Sequence, residues 1–188
     1  MYINSLNPKF WILIGIPIIF LFGSLMHFAY DLSGHSTIVG IFTPVNESIW
    51  EHLKLSVYPT FLWWLIGFFI LDDVPTYRWF RCCVFSVIVS PIVITSFYYT
   101  YTGALGIHSL FLDIFSLFLG LLISQCFALH LYNRAKIEKF DFYLSILVSL
   151  LIVITFTIFT FSPPKLPIFM DHNMEFNSTT LYLNNFIL

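Results

Sequence analysis

Long, continuously apolar runs alternate with short polar breaks along the chain. The runs extend from Phe10 to Tyr30, Leu53 to Leu71, Trp79 to Tyr101, Ile107 to Leu131 and Phe142 to Phe161. Each has about the twenty residues that a ~30 Å hydrocarbon layer demands at ~1.5 Å per helical residue. Membrane barrel strands would instead alternate apolar and polar positions over about ten residues, and these runs do not alternate. The pattern predicts an all-α, polytopic transmembrane helix bundle with about five spanning helices. It divides the chain into a single transmembrane domain, 1–161, and an extracytoplasmic proline-containing tail, 162–188.

Pro17, Pro59 and Pro91 fall inside three of the runs, where each removes a backbone donor and favours a bend. A neighbouring helix must then satisfy the freed carbonyl. The break from Asp31 to His52 is far longer than a minimal turn, whereas Thr102 to Gly106 and Asp72 to Arg78 are short. Thr43 and Pro44 read as an N-cap followed by proline at the first helical position. The second helix is therefore expected to begin near Asn46 in the interface and run directly into its span.

Basic residues sort unevenly between the two ends of the runs. Lys9, Arg78, Arg81, Arg134, Lys136 and Lys139 fall on one side, and Lys54 and Lys165 on the other. The positive-inside rule places the first group in the cytoplasm, with the N terminus inside and the C terminus outside. Only Lys9 precedes the first run and no small-residue cleavage pattern follows it, which predicts a retained helix rather than a removed signal peptide.

Composition agrees with this reading. The 188 residues are 59% hydrophobic and only 10% charged, against about 25% charge in soluble domains. Eight Lys and Arg residues and a net charge of −2 provide no concentrated basic face, so nucleic acid is not an expected partner. Cys82 and Cys83 are adjacent in one apolar run and Cys126 lies in another, which suits neither a CxxC metal pair nor a disulfide framework.

The unusual polar residues collect at the outer ends of the spans. His27 and Asp31 end the first, Asn46 to His52 begin the second, and His108 and Asp113 occupy the expected start of the fourth. Asp113 lies about 9 Å into its expected helix, at a depth where membrane carboxylates face a cavity or a partner. His27 and Asp31 share a face if the first helix continues through Asp31, as do Glu47 and Glu51, and Ser48 and His52. His27, His52 and His108 are candidate metal ligands, and together with Glu47 or Glu51 they supply nitrogen and oxygen donors suited to zinc or another divalent ion. Glu47 and Glu51 are candidates to position or deprotonate water, and Asp31 or Asp113 to orient a histidine. A solvated rim or a structural polar network accounts for the same residues without chemistry. In the tail, Asn177-Ser178-Thr179 has the form of a glycosylation sequon.

The stretch Pro44-Val45-Asn46-Glu47-Ser48-Ile49-Trp50-Glu51-His52-Leu53-Lys54 resembles an uncharacterised family of small bacterial integral membrane proteins. The resemblance extends to His27 to Asp31, Gly103, His108 and Pro163 to Asp171. It implies a multispanning protein of the bacterial plasma or inner membrane and carries no catalytic role. The outer histidine and acid arrangement more loosely resembles membrane ceramidases, which are metal-dependent amide hydrolases usually built on seven spans. Together these readings point to an outward-facing polar cluster. It would serve a metal-dependent hydrolase of a lipid or amphiphile, or else a transport component or a structural assembly protein. Membrane lipids, an amphiphilic small-molecule substrate and further copies of the chain are the expected partners.

Overall fold

The computed structural model describes residues 7–72, 74–134 and 138–171. Lys136, His172 and the Asn177 triplet lie outside the described residues. The helices are α1 (Pro8–Met26), α2 (Ala29–Leu32), α3 (Thr37–Phe42), α4 (Ile49–Ile70), α5 (Thr76–Leu105), α6 (Leu110–Arg134) and α7 (Lys139–Phe161), followed by a 3-10 turn, Pro167–Phe169. α1, α4, α5, α6 and α7 are each long and apolar enough to cross a membrane. Large side chains on their outer surfaces, among them Leu25, Phe69, Phe111 and Leu150, are more than half exposed. Such surfaces require hydrocarbon as solvent, so the chain is an integral membrane protein.

α1, α4, α5 and α6 surround a core that includes Ile12, Val57, Trp64, Trp79, Val87 and Leu121. α7 packs against α5 at the periphery and buries only Ser145 and Phe156. Named contacts set the register between helices. Trp64 and Trp79 meet with ring centroids 4.4 Å apart, and the Trp79 indole donates to the Trp64 carbonyl at 2.8 Å. Gly120 of α6 faces Ser90 and Ile94 of α5. Pro59 has no N–H to offer the Leu55 carbonyl, and that oxygen faces Gly23 of α1, where a Cβ would stand only 2.3 Å from it. Glycine there lets two backbones approach at the point where proline has left an acceptor open.

The end of the bundle carrying most basic residues is closed by aromatic and ionic contacts. Trp11 and Trp63 stack at 4.2 Å, and each donates its indole N–H to the other's carbonyl, at 3.3 and 3.2 Å. Arg78 donates to the Tyr132 carbonyl at 3.1 Å and Arg81 pairs with Asp141.

The first connection departs from expectation in two respects. α1 stops at Met26, where the Phe28 N–H reaches back only to Leu25, instead of continuing to Tyr30. Asp31 therefore leaves the face of His27 and pairs with His35 at 3.2 Å on the exposed rim. The cap of α4 is Ser48, whose hydroxyl accepts from Glu51 N, rather than Thr43. Thr43 is extended, as the following Pro44 demands.

Lys54 explains why the intervening segment folds as it does. Its Nζ is fully buried and donates to the carbonyls of Gly40 and Thr43, at 2.8 and 3.2 Å, and to Glu51 Oε2 at 2.6 Å. Glu51 also accepts from Val45 N at 3.0 Å and Thr160 Oγ1 at 3.1 Å. The pair ties α3 and its following loop to α4 and α7. Removing one partner would strand a buried charge, at a cost of about 3–5 kcal/mol.

A second polar group lies deeper. Ser56, Thr60, Ser86, Ser90, Ser124 and Gln125 are all fully buried. The hydroxyls of Thr60, Ser86 and Ser90 and both amide atoms of Gln125 have no protein partner. Each buried orphan costs about 1–3 kcal/mol, so these groups together rival the ~5–15 kcal/mol by which whole domains are stable.

Candidate functional site

Three side chains converge at the end of the bundle opposite the basic residues. His27 caps the C-terminal end of α1, Glu47 lies in the loop before α4, and His52 sits in the first turn of α4. His27 Nε2 and His52 Nε2 are 3.1 Å apart, His52 Nε2 and Glu47 Oε2 are 3.4 Å apart, and His27 Nε2 and Glu47 Oε2 are 3.7 Å apart. These three residues can present one ligand atom each to a single metal ion.

The local sequence builds this triangle. Asn46 Oδ1 accepts from Ser48 N at 3.0 Å, which turns the chain just ahead of the α4 cap and leaves Glu47 at the apex. His52 lies one turn into α4, and its Nδ1 is 2.9 Å from the Ser48 carbonyl oxygen. A carbonyl only accepts, so the Nδ1 position carries a proton and Nε2, facing His27 and Glu47, offers a lone pair when the ring is neutral. This is the arrangement in which a backbone carbonyl orients a ligating imidazole through its other ring nitrogen.

The triangle's size suits an ion. Ligand atoms held ~2.0–2.1 Å from a tetrahedral zinc stand about 3.3 Å from one another, close to the three separations found here. Without an ion, the same geometry allows His27 Nε2–H to donate to His52 Nε2. Both imidazoles are about one-third exposed and the Glu47 side chain is 58% exposed, so protein leaves the centre open on one side.

The remaining candidates take other places. Asp113, in the first turn of α6, accepts from the Tyr101 hydroxyl and lies within electrostatic range of His52. Tyr101 also receives Ser109 N at 3.5 Å, which fixes the loop entering α6. His108 falls in that loop rather than in the helix, because Gly106 adopts a left-handed conformation, φ +64°, and ends α5. Its Nδ1 is 3.1 Å from the Tyr98 hydroxyl, and it is not one of the three converging ligands. Glu51 points away from the triangle into its pairing with Lys54, and Asp31 stays at the rim.

Of the set His27, Glu47 or Glu51, His52 and His108 read from the sequence, the structure brings His27, Glu47 and His52 together and leaves Glu51 and His108 apart, and sequence reasoning missed the contacts of Lys54, Tyr98 and Tyr101. The three-residue spacing of Glu51 and Lys54 was the available signal for the first of these. The tyrosines carried none, since each lies in an apolar run and reaches its partner only through the α5–α6 turn.

A protein-family model described as a family of unknown function, DUF6512, matches residues 1–176. The chain belongs to that family. No curated protein and no solved structure matches it.

Proposed function

We propose that this DUF6512 member is a metal-dependent hydrolase of a lipid or other membrane-associated amphiphile, with His27, Glu47 and His52 as the ligands of a divalent ion such as zinc. The observation that carries the reading is the triangle of donor atoms with His52 oriented through Ser48. Two histidines and one carboxylate are a ligand set of hydrolytic zinc sites, which keep a fourth position open. An ion held there would polarise a carbonyl and lower the pKa of a coordinated water.

The chain's own residues supply the rest. Glu47 completes the ligand set with its Oε2 oxygen. Asp113, held by Tyr101, is the carboxylate assigned to proton transfer. Glu51 and His108 lie outside the triangle and are not used as ligands. Asp31 serves the rim. The site faces the exterior of a bacterial plasma or inner membrane, with the N terminus in the cytoplasm and the 162–188 tail outside, in accord with the positive-inside rule. That placement suits an amphiphile whose polar group lies at the outer interface. It parallels the ceramidase-like arrangement on a smaller bundle, and 1–161 acts as one domain.

A transport component would need polar side chains reaching the opposite end of the bundle. Below Thr60 the core is filled by Trp64 and Trp79, which favours a closed centre over a pathway.

Elemental analysis of the full chain, purified without chelators, tests the assignment. The expected content is about one divalent ion per chain, lost in His27→Ala, His52→Ala and Glu47→Gln while each variant remains monodisperse. A folded wild-type chain that stays metal-free on incubation with zinc, or three variants that all retain the ion, would refute it.

A further inference from the structure

α4 and α7 touch near their outer ends. Trp50 stacks on Phe156 with ring centroids 4.6 Å apart, the Thr160 hydroxyl donates to Glu51 at 3.1 Å, and the rings of Tyr58 and Phe156 meet at 6.1 Å. Toward the basic end α7 packs on α5 instead, with Phe142 against Phe80 at 5.4 Å. A cavity of about 490 Å³ lies in the wedge this leaves beside α4, and it extends to Phe22 and Met26 of α1.

The back of the wedge is fixed. Trp64 and Trp79 form it, and the 2.8 Å bond from the Trp79 indole to the Trp64 carbonyl keeps that wall from collapsing inward. Phe42 of α3, edge-on to Tyr58 with centroids 5.2 Å apart, borders the outer end. The mouth opens sideways between Leu62 and Leu65 of α4 and Ile146 of α7, each more than one-third exposed. One helical turn away, Leu65 is followed by Phe69 and Ile146 by Leu150, so the mouth is continuous with the lipid-facing surface. Tyr58 to Leu65 covers about 10 Å around the middle of α4, which puts the cavity inside the ~30 Å hydrocarbon layer.

That depth and lining select the occupant. A buried water needs about two to four polar partners, and the lining is almost wholly apolar. A helix of a second copy, ~10 Å across, would take up roughly 800 Å³ over the same ~10 Å of length, more than the wedge contains. An alkyl chain is slimmer than a helix and is the medium at this depth. Left empty, the aromatic walls would forfeit dispersion contacts along their whole inner surface.

We propose that the wedge is a binding site for one acyl chain of a bilayer phospholipid, held longer than the chains that bathe the outer faces of the helices. Lipid tails are as apolar as leucine, so this residence comes from packing against rigid walls on several sides rather than from the hydrophobic effect. The site stands apart from the metal centre, since neither His27, Glu47 nor His52 lines it.

The test uses the full chain in phosphatidylcholine nanodiscs doped with a phosphatidylcholine that carries a diazirine midway along one acyl chain. After photolysis, the labelled residues are mapped by mass spectrometry. Labelling of Leu62, Leu65 and Ile146 is expected to exceed several-fold that of Ile123 and Phe127, which have comparable exposure on α6. Ser149→Trp, which fills the wedge from α7, is expected to abolish the excess and leave Ile123 and Phe127 as before. His27→Ala is expected to leave the excess intact. Wild-type labelling that follows exposure alone would overturn the site, whether or not the tryptophan variant folds. So would a folded Ser149→Trp chain that keeps the excess. Protection of Leu62 and Ile146 in a chain that migrates as a dimer would also overturn it, by putting a second copy over the wedge.

Discussion

Glu47 and Glu51 are four residues apart at the start of α4, and their surroundings give them different work. Glu47 is more than half exposed beside the two imidazoles, whereas Glu51 is buried and accepts from an ammonium, a backbone N–H and a hydroxyl. Lys54→Met should therefore lower unfolding free energy by about 3–5 kcal/mol, read as a fall in melting temperature in detergent, while metal content per folded chain stays at the wild-type value. Glu47→Gln should do the reverse, emptying the centre and leaving the metal-free melting temperature nearly unchanged. A Lys54→Met chain as stable as wild type would contradict the role given to the buried pair. That His27 and His52 belong to one polar cluster was legible from their shared depth at the ends of two spans, where imidazoles are rare and costly. The division of labour between the two glutamates was not, because it depends on where Gly40 and Thr43 fold back to meet Lys54, a long-range contact that no local spacing encodes.

Among the elements, the fit of α1 against α4 is the most sensitive to small changes. A Cβ at Gly23 would sit 2.3 Å from the Leu55 backbone oxygen, which cannot move aside as a flexible side chain would. Gly23→Val should push α1 away from α4 and separate His27 from His52, giving a lower melting temperature, a loss of monodisperse protein on size exclusion and a loss of bound metal. Gly103→Ala is the matched control, since nothing lies within 4 Å of its added Cβ, and it should leave all three readouts unchanged. All five long helices were legible from run length alone, because hydrocarbon thickness dictates it. The break after Met26 and the short helices α2 and α3 were not: they follow from Pro44, the Ser48 cap and the reach of Lys54, which compete with apolar continuity only once the bundle is assembled.

For the whole molecule, two kinds of chemistry are separated along the bundle axis. The His27–Glu47–His52 centre and Asp113 lie at one end, and Lys9, Arg78, Arg81 and Arg134 lie at the other. Asp31→Cys and Lys139→Cys, each placed in a chain whose native cysteines are replaced by alanine, report the orientation. A membrane-impermeant maleimide should label the first in intact cells and the second only after permeabilisation. The inverse pattern would turn the molecule over and put the centre in the cytoplasm. Lys54 bears on this orientation as well. Counted from sequence it is an outer positive charge, yet its ammonium is matched by Glu51 within 2.6 Å. A transmembrane voltage performs about 2.3 kcal/mol of work per elementary charge per 100 mV, and on a matched pair that travels together it performs none. In the proposed outward orientation, Lys54 therefore adds no electrical work to placing α3 and the start of α4 outside.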